Sequence, residues 1–108
     1  MNPPEAAFIT LNLEEIDRLI HEPARLSVMA LLYVVDSADF IFLKNQTGLT
    51  WGNLSAHLSK LEEAGYIEVE KSFMGKRPNT ELRLTTAGRQ AFKAYRSRLQ
   101  QLLNGLSA

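Results

Sequence analysis

Residues 50–70 read TWGNLSAHLSKLEEAGYIEVE, and this stretch decides the fold because its hydrophobic period changes within it. Its first apolar residues have the i, i+4, i+7 spacing of one helix stripe: Leu54, Leu58 and Leu61. Thr50 is suited to cap the start of this helix with its hydroxyl, and Gly65 to end it. After Gly65, apolar and polar residues alternate, as in a half-buried strand. The stretch therefore predicts a helix from Trp51 to about Ala64, followed by a strand.

A hairpin and a last helix are predicted on the C-terminal side. Residues 81–84, ELRL, alternate again and predict the return strand of an antiparallel hairpin. Residues 72–80 contain glycine, proline and asparagine, which predict a long loop with Gly75 at its tip. Thr85 is a second hydroxyl cap, so a helix is expected from about Thr86 to Leu103.

Three helices are predicted on the N-terminal side. The first is indicated by apolar residues at helical spacing: Leu13, Ile16, Leu19 and Ile20. The second should begin near Pro23, and it is apolar nearly all round, as expected of a central buried helix. The third should run from about Asp39 to Thr47 and end at Gly48. Its inward-facing residues are expected to be Phe40, Ile41 and Leu43.

This order of elements predicts an α+β, mostly α fold. The predicted fold is a winged helix-turn-helix with a β-hairpin wing and a C-terminal dimerisation helix. A chain of 108 residues is expected to form one domain. We expect residues 13–85 to form the winged-helix core and residues 86–106 to form the last helix.

Composition excludes several functions. The chain has no cysteine, so a disulfide framework, a thiolate nucleophile and a Cys-ligated metal are ruled out. The longest apolar run, Val28 to Val35, is too short for a membrane span, and we expect a cytoplasmic protein. The net charge is zero, but residues 1–43 carry two cationic and seven acidic side chains, whereas residues 44–96 carry nine and five. An anionic partner is therefore expected on the middle of the chain.

Three segments resemble a known family. Residues 48–67 resemble the recognition-helix segment of MarR- and ArsR-like winged-helix regulators, and residues 82–89 resemble the exit from the wing of those proteins. Residues 22–26 are also similar to the family pattern near the start of the second helix. The resemblance implies a small stand-alone transcriptional regulator that binds double-stranded DNA.

The helix after Thr50 is expected to enter the DNA major groove with its small, polar outer face. Asn53 is suited to adenine, and the cationic wing to phosphates or the minor groove. The family often carries an arginine where this chain has Ala56. The candidate DNA-binding residues are Thr50, Trp51, Asn53, Ser55, Ala56, His57, Ser59, Lys60, Lys71, Lys76 and Arg77.

Simpler interpretations of the same residues stay open. Small polar residues on a helix face are usually only solvated surface, and so are most charged loops. His57 lies beside the leucine stripe, which favours packing at the edge of the core or a phosphate contact over metal binding. Trp51 is suited to packing where the helix begins. We expect no catalytic centre, metal site or cofactor, because no motif for any of these occurs.

The last helix favours a homodimer over the alternative that it only folds back on its own domain. Its apolar residues repeat with spacings of three and four, as in a heptad seam, and the first helix offers a second apolar face. Two recognition helices would then reach successive major grooves about 10 base pairs apart. The predicted dimer-interface residues are Leu13, Ile16, Ile20, Phe92, Tyr95, Leu99, Leu102, Leu103 and Leu106.

The sequence favours a transcriptional regulator, with repression the expected mode. A protein-interaction module on the same scaffold is the alternative from another class, supported by the zero net charge and by the absence of an arginine at Ala56. A third possibility is a regulator that senses a small-molecule effector, whose binding site would be lined by Phe40, Phe42 and Tyr33.

Overall fold

The computed structural model describes residues 16–106, which form four helices and a three-stranded antiparallel sheet. The predicted winged helix-turn-helix, mostly helical, is confirmed. In chain order the elements are α1 (Pro23–Val34), β1 (Ala38–Asp39), α2 (Phe40–Thr47), α3 (Trp51–Glu63), β2 (Ile67–Met74), β3 (Arg77–Leu84) and α4 (Thr86–Asn104).

Side-chain caps determine where the helices begin. The Thr50 hydroxyl accepts from the Asn53 backbone N–H at 3.1 Å, and the Thr85 hydroxyl accepts from that of Gly88 at 2.9 Å. These caps satisfy amides that have no partner inside the helix, so both predicted N-termini are confirmed. Asp39 acts in the same way for α2, which therefore begins one residue later than predicted.

The predicted first helix is wrong for residues 16–22, which form turns and bends. The Asp17 carboxylate accepts from the backbone N–H groups of Leu19 and Ile20 at 2.9 and 3.2 Å, so it caps a single turn that begins at Asp17, in place of a helix that runs through this residue. The Tyr66 hydroxyl donates to the same carboxylate at 2.6 Å. Burial and the Asp17 charge raise the pKa of Tyr66 to about 12. The part of this prediction that includes Leu13 lies outside the described residues.

The predicted long wing loop is also wrong. β2 and β3 stay paired up to Met74 and Arg77, so the turn consists of Gly75 and Lys76 alone. Gly75 has a φ of 67° and Lys76 a negative φ, as in the tight turns that favour glycine at the first position. Pro78 is tolerated in β3 because β1 pairs with β3 only at residues 81–82, which leaves that strand edge open at Pro78.

The core lies between α1, α3, α4 and one face of the sheet. Its fully buried side chains are Ile20, Val28, Met29, Leu32, Leu43, Leu54, Leu61 and Leu82. Ile41 was expected to face inward but is exposed. It lies two residues from the buried Leu43, which is about 200° around a helix, so the two cannot face the same side.

A close crossing positions α4 against the start of the wing. A Cβ atom on Gly88 would overlap the backbone carbonyl of Tyr66. At the same place, the Thr85 N–H donates to the Tyr66 carbonyl at 3.0 Å and the Thr85 hydroxyl to the Gly65 carbonyl at 2.6 Å. The end of α3, the start of β2 and the start of α4 are therefore joined in one contact.

Candidate nucleic-acid interface

Helix α3 presents a flat outer face to solvent. Its leucine stripe is buried, and the opposite residues are exposed as the helical wheel predicts. Side chains on this face are short, apart from Lys60, so a partner surface can approach the helix backbone closely. We define this outer face as Gly52, Asn53, Ser55, Ala56, Ser59 and Lys60.

Trp51 combines packing with exposure at the start of α3. Its ring stacks on Phe40 of α2, with centroids 4.9 Å apart and an interplanar angle of 11°. The Lys44 ammonium group lies 5.7 Å from the Trp51 ring centroid, within cation–π range. The Trp51 side chain nevertheless stays 58% exposed. Lys44 is not predicted from the sequence, because only the packing of α2 against α3 brings the lysine next to Trp51.

His57 is held by the start of α1. Arg25 Nη1 donates to His57 Nδ1 at 3.1 Å, since a guanidinium group has donors and no acceptor. Arg25 Nε donates to the Leu19 carbonyl at 2.6 Å. Glu22 Oε1 lies 3.8 Å from His57 Nδ1. The pKa of Glu22 is lowered, mainly by the hydrogen bond from the Arg25 backbone N–H. The half-buried His57 is therefore part of the packing between α1 and α3.

The wing ends in a cationic segment that also carries apolar side chains. We call residues 71–80 the hairpin tip. Lys71, Lys76 and Arg77 are exposed there, as predicted. Phe73 is 72% and Met74 68% exposed. Phe73 and Met74 are not predicted as site residues, because the sequence of residues 72–80 indicates a loop rather than paired strands.

An open groove of about 510 Å³ separates α3 from the wing. Leu58, Val69 and Leu82 contribute apolar walls, and Lys71 lies on the wing side. Phe40 also lines this groove. Tyr33, by contrast, packs on Phe92 with ring centroids 5.0 Å apart, so the residues expected to surround an effector are not brought together there.

The face of the wing that points away from the core is acidic. Leu82 and Leu84 are buried, so the alternating residues Glu81 and Arg83 lie on the other face. Arg83 lies 3.9 Å from Glu68 and 3.4 Å from Glu70, across the strand pair. Because this face is acidic and the hairpin tip is cationic, an anionic partner is favoured at the tip.

The predicted dimer residues fall into two groups. Ile16, Ile20, Phe92 and Tyr95 are buried in the core of the single chain, and the Tyr95 hydroxyl lies 2.7 Å from His21 Nδ1. These four side chains are part of the core of their own chain, so they offer little surface to a second copy. Toward the end of α4, Leu99 and Leu102 are half-buried, whereas Leu103, and Leu106 in the turn after the helix, are more than half exposed. Leu13 lies outside the described residues.

The sequence pattern of the family described as "winged helix DNA-binding domain" matches residues 24–103. The chain belongs to this family. The match includes α3 and the whole wing, so the exposed face of α3 and the hairpin tip lie within the matched winged helix DNA-binding domain.

Similar proteins extend this result. An uncharacterized protein of Methanocaldococcus jannaschii is 40% identical over 85 residues, which cover 79% of this chain and 92% of that protein. A transcriptional regulator homologue from Pyrococcus horikoshii OT3 has a TM-score of 0.78 at 27% identity, covering 98% of this chain and all of the other. A MarR-family regulator from Silicibacter pomeroyi shares the fold, with a TM-score of 0.59 at 19% identity over 96% of this chain and 70% of its own.

These comparisons identify a winged helix DNA-binding domain whose structural neighbours are MarR- and ArsR-family transcriptional regulators. DNA is the partner that the family supports. Within residues 16–106, none of the helices is both long enough and apolar enough to cross a membrane.

Proposed function

We propose that this winged-helix domain is a homodimeric transcriptional repressor that occupies an operator. Helix α3 enters the major groove, and the hairpin tip contacts the neighbouring backbone or minor groove. One observation carries the proposal. The exposed face of α3, whose side chains are mostly short, lies across one groove from the cationic wing. A helix of this kind fits the width of the major groove.

The outer face of α3 divides into base-reading and phosphate-binding residues. Asn53 lies in the first turn of α3, where side chains reach base edges, and its amide matches adenine. Thr50, Ser55, Ser59 and Lys60 are suited to phosphates. Gly52 and Ala56 leave room for the backbone of α3 to approach the bases. The major-groove contribution to specificity is then modest, because an arginine that could pair with guanine does not occur on this face.

Dimerisation through the end of α4 would supply the second half-site. Leu102, Leu103 and Leu106 continue the apolar seam past the core, and Leu99 joins it to the domain. Two-fold symmetry would place two α3 helices on successive major grooves, about 10 base pairs apart.

A titration of a fluorescent duplex of about 30 base pairs, followed by anisotropy over a salt series, tests this function. We expect binding whose logarithm falls steeply with the logarithm of the salt concentration, because phosphate contacts release counterions. Replacing Lys76 and Arg77 by alanine should weaken binding and flatten this slope. The double variant Arg18→Ala/Lys93→Ala removes the same charges elsewhere and should bind as the wild type does. Absence of binding at low salt would contradict the proposal.

An effector-sensing regulator is the second candidate, favoured by the groove beside α3. A ligand between Trp51 and the wing would lie next to the surface proposed for DNA and compete with it. Trp51 is the chain's single tryptophan, so its fluorescence reports occupancy of the groove directly. A compound that changes this fluorescence and also releases the duplex would support the effector function.

A further inference from the structure

Two large apolar side chains stand at the end of the wing where the chain itself does not cover them. Phe73 pairs with Pro78 and Met74 with Arg77, so both belong to the last two rungs before the turn. Consecutive strand residues point to opposite faces, and Phe73 and Met74 therefore flank the hairpin on both sides. Both are about two-thirds exposed or more. A soluble surface usually keeps such side chains off a projecting strand end.

We propose that the hairpin tip is an apolar wedge that enters the DNA minor groove, unstacks a base step and bends the duplex. The inference rests on the proposed function, since it requires that α3 binds DNA. Phenylalanine and methionine are among the side chains that other minor-groove proteins insert between bases, and such insertion kinks the duplex toward the major groove.

Charge selects DNA as the occupant of this surface. The hairpin tip carries Lys71, Lys76 and Arg77 and has no acidic residue between positions 71 and 80. A second copy of the same tip would be repelled by these charges. A duplex instead offers phosphates to the cations and an apolar base stack to Phe73 and Met74.

The position of the hairpin tip relative to α3 favours DNA over other anionic surfaces. Lys71 of the wing lines the same groove as Ser55 and Ser59 of α3, so the tip and the outer face of α3 lie on either side of one slot. A duplex that holds α3 in its major groove presents its backbone to this slot and its minor groove to the tip. A flat lipid surface would not engage both elements in this way.

The tip is also narrow and fixed. Strand pairing continues to the Met74–Arg77 rung, and the turn has only two residues. Only the turn and the side chains of the last rungs, and not the full ribbon, would enter the minor groove, which is about 6 Å wide. The wedge is thus held ready by paired strands, without a loop that must be ordered on binding.

This mechanism gives sequence selectivity without an arginine on α3. Pyrimidine–purine steps unstack more easily than others, so a wedge prefers sites that place such a step under the tip. The operator would then be recognised partly by its deformability, at base pairs that no polar side chain contacts.

The test measures bending and binding in the same samples. Energy transfer between dyes at the two ends of a duplex reports the bend, and a 2-aminopurine probe reports unstacking. We compare the wild type with Phe73→Thr/Met74→Thr, which keeps strand-compatible side chains at both positions. Val34→Thr removes an apolar side chain that is 82% exposed at the far end of α1 and serves as the matched control.

We expect the wild type and Val34→Thr to bend the duplex and raise the 2-aminopurine signal. The double variant should keep the salt slope but lose the bend, with an affinity lower by roughly tenfold. If the wild type binds without bending the duplex, or if the double variant bends it as much as the wild type does, the wedge is wrong and the proposed function is unaffected. Failure of the wild type to bind any duplex removes both. Binding to phosphatidylglycerol vesicles that depends on Phe73 and Met74, with DNA bending unaffected, assigns the tip to a lipid surface instead.

Discussion

Arg25 Nη1 donates to His57 Nδ1 across 3.1 Å, and this bond ties the first turn of α1 to the middle of α3. The same guanidinium also donates to the Leu19 carbonyl, so one side chain connects α1 with the turn before it and with the helix proposed to bind DNA. The orientation of α3 is thus determined by a polar contact as well as by its leucine stripe.

Replacing Arg25 by methionine should destabilise the fold. The change keeps an apolar stem but leaves the Leu19 carbonyl and His57 Nδ1 without their donor, and we expect the free energy of unfolding to fall by about 1–3 kcal/mol. Urea denaturation followed by circular dichroism measures this. Arg18 is exposed, and Arg18→Met should change the free energy by less than about 0.5 kcal/mol. Equal stabilities of the two variants would contradict the role given to Arg25.

A pair of glycine substitutions should act in opposite directions. Gly88→Ala places a methyl group on the Tyr66 carbonyl, which forces α4 away from the wing and should cost about 2–4 kcal/mol. Gly52→Ala meets no atom within 4 Å and lies inside α3, so it should stabilise the domain by about 0.5–1 kcal/mol. Thermal unfolding of both variants measures the contrast. A Gly88→Ala protein as stable as the wild type would show that the crossing tolerates a shift.

The Tyr66–Asp17 hydrogen bond should make stability decline at high pH. The folded pKa of Tyr66 is raised to about 12 from 10.0, so the neutral phenol stabilises the fold fully below pH 10. That contribution is lost as pH rises through the folded pKa, because the unfolded chain releases its proton first. Solvent screening of the half-buried ring limits the effect to about 1 kcal/mol. Urea unfolding of the wild type and Tyr66→Phe at pH 8 and pH 11 should show the difference between them shrinking at the higher pH.

Dimerisation should depend on the end of α4. Leu103→Glu/Leu106→Glu places charges on two exposed positions of the seam, and we expect it to give a monomer with its fold unchanged. Ser97 is exposed on the opposite side of α4, so Ser97→Glu is the control. Sedimentation velocity measures the mass of each. If the wild type is itself a monomer at all concentrations tested, the dimer proposal is wrong.

Asn53 and Lys60 should differ in what they contribute to DNA binding. Asn53→Ala is expected to cost about 1–3 kcal/mol on a preferred site and to relax the requirement for adenine at one position. Lys60→Ala should weaken all sequences alike and reduce the salt slope by about one. Selection of binding sites from a random duplex pool, repeated with each variant, distinguishes the two roles. Identical site preferences for the wild type and Asn53→Ala would remove Asn53 as a base reader.

The elements that the sequence predicts well are those with a strong local pattern. Helix α3 was predicted almost to the residue because three leucines, a threonine cap and Gly65 all indicate the same segment. β1 was missed because two residues carry no period, and its pairing with Leu82 and Glu81 is formed only in the tertiary structure. The helix predicted through Ile20 is wrong because apolar spacing does not detect the Asp17 carboxylate, which caps a single turn that begins at that residue.

The same distinction applies to the site. The outer face of α3 follows from helical geometry, so its exposed residues could be predicted. Phe73 and Met74 could not, because glycine, proline and asparagine in residues 72–80 indicate a loop, while the strands continue as a ribbon beyond the core. The contact between Lys44 and Trp51 depends on how α2 packs against α3, which periodicity does not encode.

The acidic outer face of the wing has a consequence for how the protein meets DNA. With no net charge, the chain is not drawn toward a polyanion from a distance, but the carboxylates on the outer face of the wing and the cations at the hairpin tip make the wing itself an electric dipole. In the electric field of a duplex, a dipole is mainly reoriented and is attracted only weakly. The molecule should therefore collide with DNA no more often than a neutral protein does, yet a larger fraction of collisions should begin tip first. Capture would be productive while adhesion to unrelated sequence stays low.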